Sequence, residues 1–219
     1  GLGIFYWSWR SIPETGVSAK NTLLTQQGVT TLLNSRRFLG YTGIFGFLQA
    51  TFLSFVSVGA AVFDDYFGIG QIGFGIIWGL MACAYVTGSI LLGRLTRRFG
   101  SANLTQYCVA ILLGLGWLAF IIQSQLGITI LTVLLPLVGL MLVSGVLTPM
   151  AMLGAVEIFP QISGTASGIS SSCGLFIGGV FAVISGAVYE WGYIYVAFVC
   201  AIATLCVALS WLLVRSSAH

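Results

Sequence analysis

Six stretches of this chain are long, apolar and free of charged residues, and this feature constrains the fold more than any other. They span residues 38–63, 74–92, 104–122, 128–155, 165–188 and 193–214. A helix needs about 20 residues, at about 1.5 Å each, to cross the hydrocarbon core of a bilayer. A central Arg, Lys or Asp costs about 3 kcal/mol there, so uncharged interiors matter. The pattern therefore predicts six transmembrane helices.

Composition excludes a water-soluble fold. Hydrophobic residues make up 58% of the 219 residues, charged residues only 6%, and the mean hydropathy is +1.05. A soluble domain carries about a quarter charged residues. The net charge of +3 is too small and scattered for a nucleic-acid-binding stripe. We predict an all-α integral membrane protein, a six-helix bundle whose main partner is the lipid bilayer.

Charged residues are sorted by alternate links between the stretches. If Arg36 and Arg37 are cytoplasmic, alternation of the helices places every cation on that side. The cations are Arg10, Lys20, Arg36, Arg37, Arg94, Arg97, Arg98 and Arg215. The other side receives Asp64, Asp65 and Glu190 and no cation. This asymmetry follows the positive-inside rule and predicts a multi-pass protein with its basic links in the cytoplasm.

Two further segments are predicted within the first 37 residues. Residues 1–9 are apolar and aromatic, and we interpret them as the truncated end of a preceding transmembrane helix. Residues 10–37 are more polar and are interpreted as a cytoplasmic linker, either with a short amphipathic helix on the membrane face or as an irregular tether. Residues 38–219 then form the six-helix bundle.

The sequence contains few candidate catalytic or metal-binding residues. The one histidine is His219 at the C-terminus, so no Ser/His pair or histidine-liganded metal site can be assembled. The cluster Ser170, Ser171 and Ser172 has no base nearby, and its hydroxyls suit helix–helix hydrogen bonds or substrate contact. We expect no enzyme activity, no metal and no cofactor.

Glycines recur at helical spacing inside the spans. Gly164 with Gly168, and Gly174 with Gly178, are small-xxx-small pairs that let helix backbones approach closely. We predict that these four serve helix packing, either static or between sliding helices.

Glu157 is the acid closest to the end of a span. Ionisable groups at membrane boundaries are usually paired or functional. Arg97 and Arg98 close another helix on the same side, so an ion pair with Glu157 can latch the cytoplasmic ends together. The alternative is a solvated carboxylate.

Several motifs resemble the major facilitator superfamily, and within it the bicyclomycin and chloramphenicol resistance type of drug:proton antiporter. Residues 12–15 (IPET) look like the L-P-E-T after the sixth helix of that branch, and residues 32–41 (LLNSRRFLGY) resemble the start of its seventh. Residues 149–167 carry the order P…A-x-E-x-F-P…G-T-A-S. Residues 93–100 (GRLTRRFG) are similar to the second copy of the G-x-L-a-D-R-x-G loop, with Gly93, Arg97, Arg98 and Gly100 at its positions.

The resemblance implies the second half of a twelve-helix fold whose substrate binds near the midplane between two six-helix halves. It implies a bacterial inner-membrane location and an antiporter driven by the proton gradient rather than by a cofactor. Arg97 stands where the loop motif has Asp, so the acid's gating role does not transfer. The coupling carboxylates are expected in the missing N-terminal half.

We therefore expect a proton-coupled multidrug efflux antiporter that works by alternating access on small amphipathic drugs. Polar residues inside spans are the candidate cavity contacts, namely Gln49, Ser144 and Thr148, with Phe52 and Phe55 as apolar surface. One alternative is a major facilitator exporter of a metabolite or sugar, which would need more polar anchors. Another is a non-transporting scaffold or half-size subunit.

Overall fold

The computed structural model describes residues 29–216, and this part of the chain is helical almost throughout. Its six long helices are α1 (Arg36–Phe67), α2 (Gln71–Phe99), α3 (Ser101–Leu126), α4 (Ile130–Glu157), α5 (Ser163–Tyr189) and α6 (Tyr193–Ser216). A short 3-10 turn, Pro160–Ile162, precedes α5. Each long helix is long and apolar enough to cross a membrane. The fold is therefore a bundle of six candidate transmembrane helices, as predicted, and the chain is a multi-pass membrane protein.

Local chemistry explains where the helices begin and end. The Ser35 side chain accepts a 3.3 Å hydrogen bond from the Phe38 N–H at the start of α1. Gly68, at φ 64°, ends that helix in a left-handed conformation that other residues rarely adopt. Thr129 caps α4 through a reciprocal bond with Thr132. The predicted range of 128–155 thus began two residues too early, because Ile128 precedes the cap.

Helices α1 and α4 form the centre of the bundle, and α2 and α5 lie at its outside. Half of the most apolar window of α1 and of α4 is buried, against 17% for α2 and for the segment that contains α5. The core between them is built from side chains such as Ile44, Leu48, Leu112 and Leu147. The outer faces of α2 and α5 are therefore left for lipid or for another protein.

The two ends of the bundle differ in charge. At one end Phe38 of α1 packs with Ala155 of α4 and Ala166 of α5. Since the helices alternate in direction, this end carries the described cations Arg36, Arg37, Arg94, Arg97, Arg98 and Arg215, together with Glu157. We call it the basic end. The opposite, acidic end carries Asp64, Asp65 and Glu190.

Aromatic side chains join the helices at the acidic end. The Tyr189 hydroxyl donates a 2.6 Å hydrogen bond to Asp65 Oδ2. The Tyr193 N–H donates to the Tyr66 hydroxyl at 3.2 Å. Trp191, 73% exposed, lies on the turn between α5 and α6. Tyr and Trp are enriched at membrane interfaces, so this end has the composition of a membrane boundary.

The linker is described only in its last residues. Residues 29–34 are helical, and Leu32 is fully buried against Phe38, Ala155 and Ala166. Helix α1 begins at Arg36, two residues before the predicted start of the first span at Phe38. The predicted helix stub at 1–9, the rest of the linker with Arg10 and Lys20, and His219 lie outside the described residues.

Helix α4 accommodates a proline by means of a neighbouring helix. Pro136 has no N–H, so the carbonyl oxygen of Thr132, one turn earlier, lacks its usual partner. Gln123 Nε2 on α3 donates a 2.9 Å hydrogen bond to that oxygen. Neighbouring helices commonly satisfy backbone groups freed by a transmembrane proline. The Gln123 side chain thereby fixes α3 against α4.

Candidate functional site

Four of the five predicted cavity residues line a single cavity of about 350 Å³ between α1, α2 and α4. Gln49 and Phe52 come from α1, one turn apart, and Ser144 and Thr148 come from α4, also one turn apart. Residues at this spacing share one helix face. The structure therefore brings together residues from distant parts of the sequence.

Phe55 has a different place. Its side chain is 1% exposed and packs in the core, with its ring centroid 6.4 Å from that of Phe63. It borders a small internal cavity between α1, α3, α4 and α6, not the larger one. Phe52 follows Gln49 by three residues and lies about 60° from it around the helix, whereas Phe55 follows Gln49 by six residues and lies about 120° from it.

Helix α2 supplies a wall of the cavity that the sequence reasoning missed. It contributes Trp78, Met81, Ala82, Tyr85 and Val86. The signal was present, because Trp78, Met81 and Tyr85 recur at three- and four-residue steps typical of one helix face. In an apolar span this spacing does not distinguish a cavity wall from a core face.

The cavity wall is aromatic and uncharged. The ring centroids of Phe52 and Trp78 lie 5.8 Å apart, and those of Trp78 and Phe74 lie 5.9 Å apart. Met81 and Met141 add polarizable apolar surface. Among the residues that the structure describes, no Asp, Glu, Lys or Arg borders this cavity. Such a wall suits an apolar or aromatic molecule anchored by a few polar contacts.

Polarity changes along the length of the cavity. On each of the three helices, a polar lining residue lies closer to the basic end than a large apolar one, although Leu48 on α1 and Val86 on α2 also lie on the basic side. Gln49 precedes Phe52 on α1, while on the oppositely directed α2 and α4, Tyr85 follows Trp78 and Ser144 follows Met141. The cavity therefore has a polar part toward the basic end and an aromatic part toward the acidic end.

Two glycines set the distance between α2 and α4, which form two of the walls. A Cβ at Gly88 would collide with the carbonyl oxygen of Leu142, and one at Gly145 with that of Tyr85. At the same crossing, Ser89 Oγ donates a 2.9 Å hydrogen bond to the Gly145 carbonyl. Gly145 stands outside any small-xxx-small pair, whereas Ala84 and Gly88 form one that the sequence analysis did not single out.

Of the four glycines predicted to pack helices, two do so within the described residues. A Cβ at Gly174 would lie 2.5 Å from Phe45 Cε1, and one at Gly178 would lie 2.7 Å from Leu53 Cδ1. One turn before Gly174, Ser170 Oγ and Thr42 Oγ1 form a buried 2.9 Å hydrogen bond. Helices α1 and α5 are therefore held together by small residues and a hydroxyl pair.

Gly164 and Gly168 are exposed, and a Cβ on either would meet no described atom within 4 Å. The packing contact expected of them is not made inside this bundle. A Cβ on Gly75 or Gly79 of α2 would likewise meet no described atom within 4 Å. Spacing shows which residues share a helix face but not which neighbour that face meets.

The loop motif lies at the end of α2 and the start of α3. Gly93, Arg97 and Arg98 are exposed, and Gly100, at φ 77°, ends α2. The Arg98 guanidinium lies 5.4 Å from the centre of the Phe99 ring. Within residues 29–216, Glu157 forms no ion pair with Arg97 or Arg98. It borders a cleft with Arg37 and Tyr41 instead.

Comparisons of the chain with models of protein families, with curated proteins and with solved structures find no match. The chemistry of the site therefore rests on its own geometry. An uncharged cavity with aromatic rings, two methionines and hydroxyl and amide groups can bind a ligand reversibly. Among its lining residues none is an obvious acid, base or activated nucleophile.

Proposed function

We propose that this chain forms half of a secondary active transporter of the major facilitator type, a proton-coupled multidrug efflux antiporter of a bacterial inner membrane. The cavity between α1, α2 and α4 carries the proposal. It is open between helices of a membrane-spanning bundle, and its volume of about 350 Å³ suits a small molecule. In alternating access, this half supplies one wall of the substrate site.

The wall favours amphipathic substrates over sugars. Phe52, Trp78 and the methionines offer broad apolar contact, while Gln49, Ser144 and Thr148 offer few polar anchors. A sugar has a hydroxyl on almost every carbon, and each buried hydroxyl needs a partner. We propose that a bound substrate places its aromatic part toward the acidic end and its polar part toward the basic end.

A second six-helix half is the proposed partner. The exposed glycines of α2 and α5, namely Gly75, Gly79, Gly164 and Gly168, form flat faces with no partner in the described bundle. Small-residue faces allow close helix packing in lipid. The cavity has no acid among its lining residues, so the proton-coupling carboxylate is proposed in that partner half. The proposed energy source is the proton gradient, and we propose no catalytic step.

The basic end is proposed to face the cytoplasm, as the positive-inside rule favours. The latch between Glu157 and Arg97 or Arg98 belongs to this proposal as a contact of another transport state. Both arginines are exposed near the end of α2, at the same end of the bundle as Glu157. If closure needs the latch, Glu157→Gln lowers the transport rate, whereas an unchanged rate would dismiss it.

The function is tested by dye efflux from cells that express the full-length protein. Trp78→Ala should lower the efflux rate because it removes the largest of the three aromatic side chains that line the cavity. Trp117→Ala is the matched control, since Trp117 packs against Phe120 and Phe198 away from the cavity. Efflux should stop when the proton gradient is collapsed. Equal rates for the two variants, or efflux that survives collapse of the gradient, would contradict the proposal.

A further inference from the structure

Two cavities meet at the basic end around Tyr41, Gly154 and Glu157. The first, about 200 Å³, is lined by these residues with Arg37 and Ile158, and we call it the Arg37–Glu157 cleft. The second, about 170 Å³, continues between α2, α3 and α4, and we call it the adjoining crevice. Neither includes a residue of the larger cavity described above.

The cleft holds two opposite charges that do not pair. Arg37 and Glu157 both line it, yet neither forms an ion pair with any residue in 29–216. Arg37 lies in the first turn of α1, where free N–H groups favour an anion, and Glu157 is the last residue of α4, where free carbonyls favour a cation. The cleft therefore has one wall suited to a negative group and another suited to a positive group.

The floor of the cleft depends on a glycine. The ring of Tyr41 lies on the backbone of Gly154, where a Cβ would come within 2.6 to 2.7 Å of three ring atoms. Any larger residue would push the ring away from α4. Tyr41 and Gly154 both line the two cavities, so this contact forms part of their shared boundary.

The adjoining crevice has a mixed lining. Its apolar side chains include Leu92 of α2 and Met150 and Leu153 of α4, and its hydroxyl groups belong to Thr96, Ser101 and Thr105. The Leu153 side chain is 57% exposed, so the crevice opens onto the outer surface of the bundle. In a membrane-spanning bundle that surface faces acyl chains, so a charged cleft lies beside a partly apolar crevice that opens toward lipid.

We propose that the Arg37–Glu157 cleft binds the headgroup of one zwitterionic phospholipid with a primary amine, with its phosphate on Arg37, its ammonium on Glu157 and an acyl chain in the crevice. An ammonium has three N–H donors for a carboxylate, whereas a quaternary amine has none. Glu157 repels a purely anionic headgroup. The site therefore distinguishes phosphatidylethanolamine from phosphatidylcholine and phosphatidylglycerol with the same acyl chains.

Native mass spectrometry of the purified full-length protein tests this proposal, with the three lipids added in turn at equal concentration. The phosphatidylethanolamine adduct should exceed the phosphatidylcholine adduct by about fivefold, as one exposed ion pair would produce. Glu157→Gln should remove this preference. Two control variants should keep it: Glu190→Gln, an acid at the other end, and Arg97→Gln, a cation at the same end outside the cleft.

Gly154→Ala provides a variant with every charge intact. It displaces the Tyr41 ring, so binding of all three lipids at this site should fall while the protein stays monodisperse in size-exclusion chromatography. Equal binding of phosphatidylethanolamine and phosphatidylcholine by the wild type would overturn the proposal. So would a preference unchanged in Glu157→Gln, or full competition by glycerophosphoethanolamine, which carries the headgroup without acyl chains.

Discussion

Gln123 on α3 donates a 2.9 Å hydrogen bond from Nε2 to the carbonyl oxygen of Thr132, the oxygen that Pro136 leaves without an intrahelical partner. The Gln123 side chain is 4% exposed and packs beside the small internal cavity. An amide from one helix thus replaces a missing backbone donor in another. This contact makes the proline of α4 compatible with a continuous helix.

Gln123→Leu should lower the stability of the protein by about 1 kcal/mol, the order found for interhelical hydrogen bonds in membrane proteins. Thermal unfolding in detergent measures the change. In a Pro136→Ala background, residue 136 regains its N–H and bonds the Thr132 carbonyl itself. In that background, Gln123→Leu should lower the stability of the protein by less than it does in the wild type. Equal costs in the two backgrounds would show that Gln123 acts only through packing.

The crossing of α2 and α4 should be intolerant of any side chain at Gly145. Gly145→Ala places a methyl group against the Tyr85 carbonyl and forces the helices apart, at a cost of about 1 to 3 kcal/mol. Gly114→Ala is the matched control, because a Cβ there meets no described atom within 4 Å. Thermal unfolding of both variants tests the contact. Similar stabilities would mean that α2 and α4 do not cross at these residues.

The hydroxyl pair between α1 and α5 should stabilise the bundle. Thr42→Val keeps the side-chain shape but removes the buried bond to Ser170, so stability should fall by about 1 kcal/mol. Thr87→Val serves as the control, since the exposed Thr87 hydroxyl bonds only to Cys83 within its own helix. Removing both hydroxyls, in Thr42→Val with Ser170→Ala, should cost little more than Thr42→Val alone. Additive losses would indicate that the two hydroxyls act independently.

The exposed glycine face of α5 gives a test of the proposed partner half. A Cβ at Gly168 meets no described atom within 4 Å, so Gly168→Val should leave the six-helix bundle intact. In the proposed twelve-helix protein the added side chain would separate the halves and lower transport. Transport at the wild-type rate, with normal expression in the membrane, would mean that this face meets lipid.

The spans were predictable because membrane insertion depends on local composition. All six predicted ranges fall within the observed helices, apart from Ile128 and the cap residue Thr129. Charge sorting followed for a similar reason, since short links force the helices to alternate. The burial of Phe55 was not predictable in this way, because it depends on how α1 is rotated about its own axis.

The sequence by itself determined that the chain is a membrane-spanning helical bundle with one basic and one acidic end, since these properties depend on segment length and charge position. Only the tertiary structure decided which faces meet. It placed Trp78 beside Phe52, Gly88 against α4 and Glu157 beside Arg37. The physical reason is that lipid is as apolar as the helices, so hydropathy does not select one helix neighbour over another. Steric fit and a few interhelical hydrogen bonds make that choice.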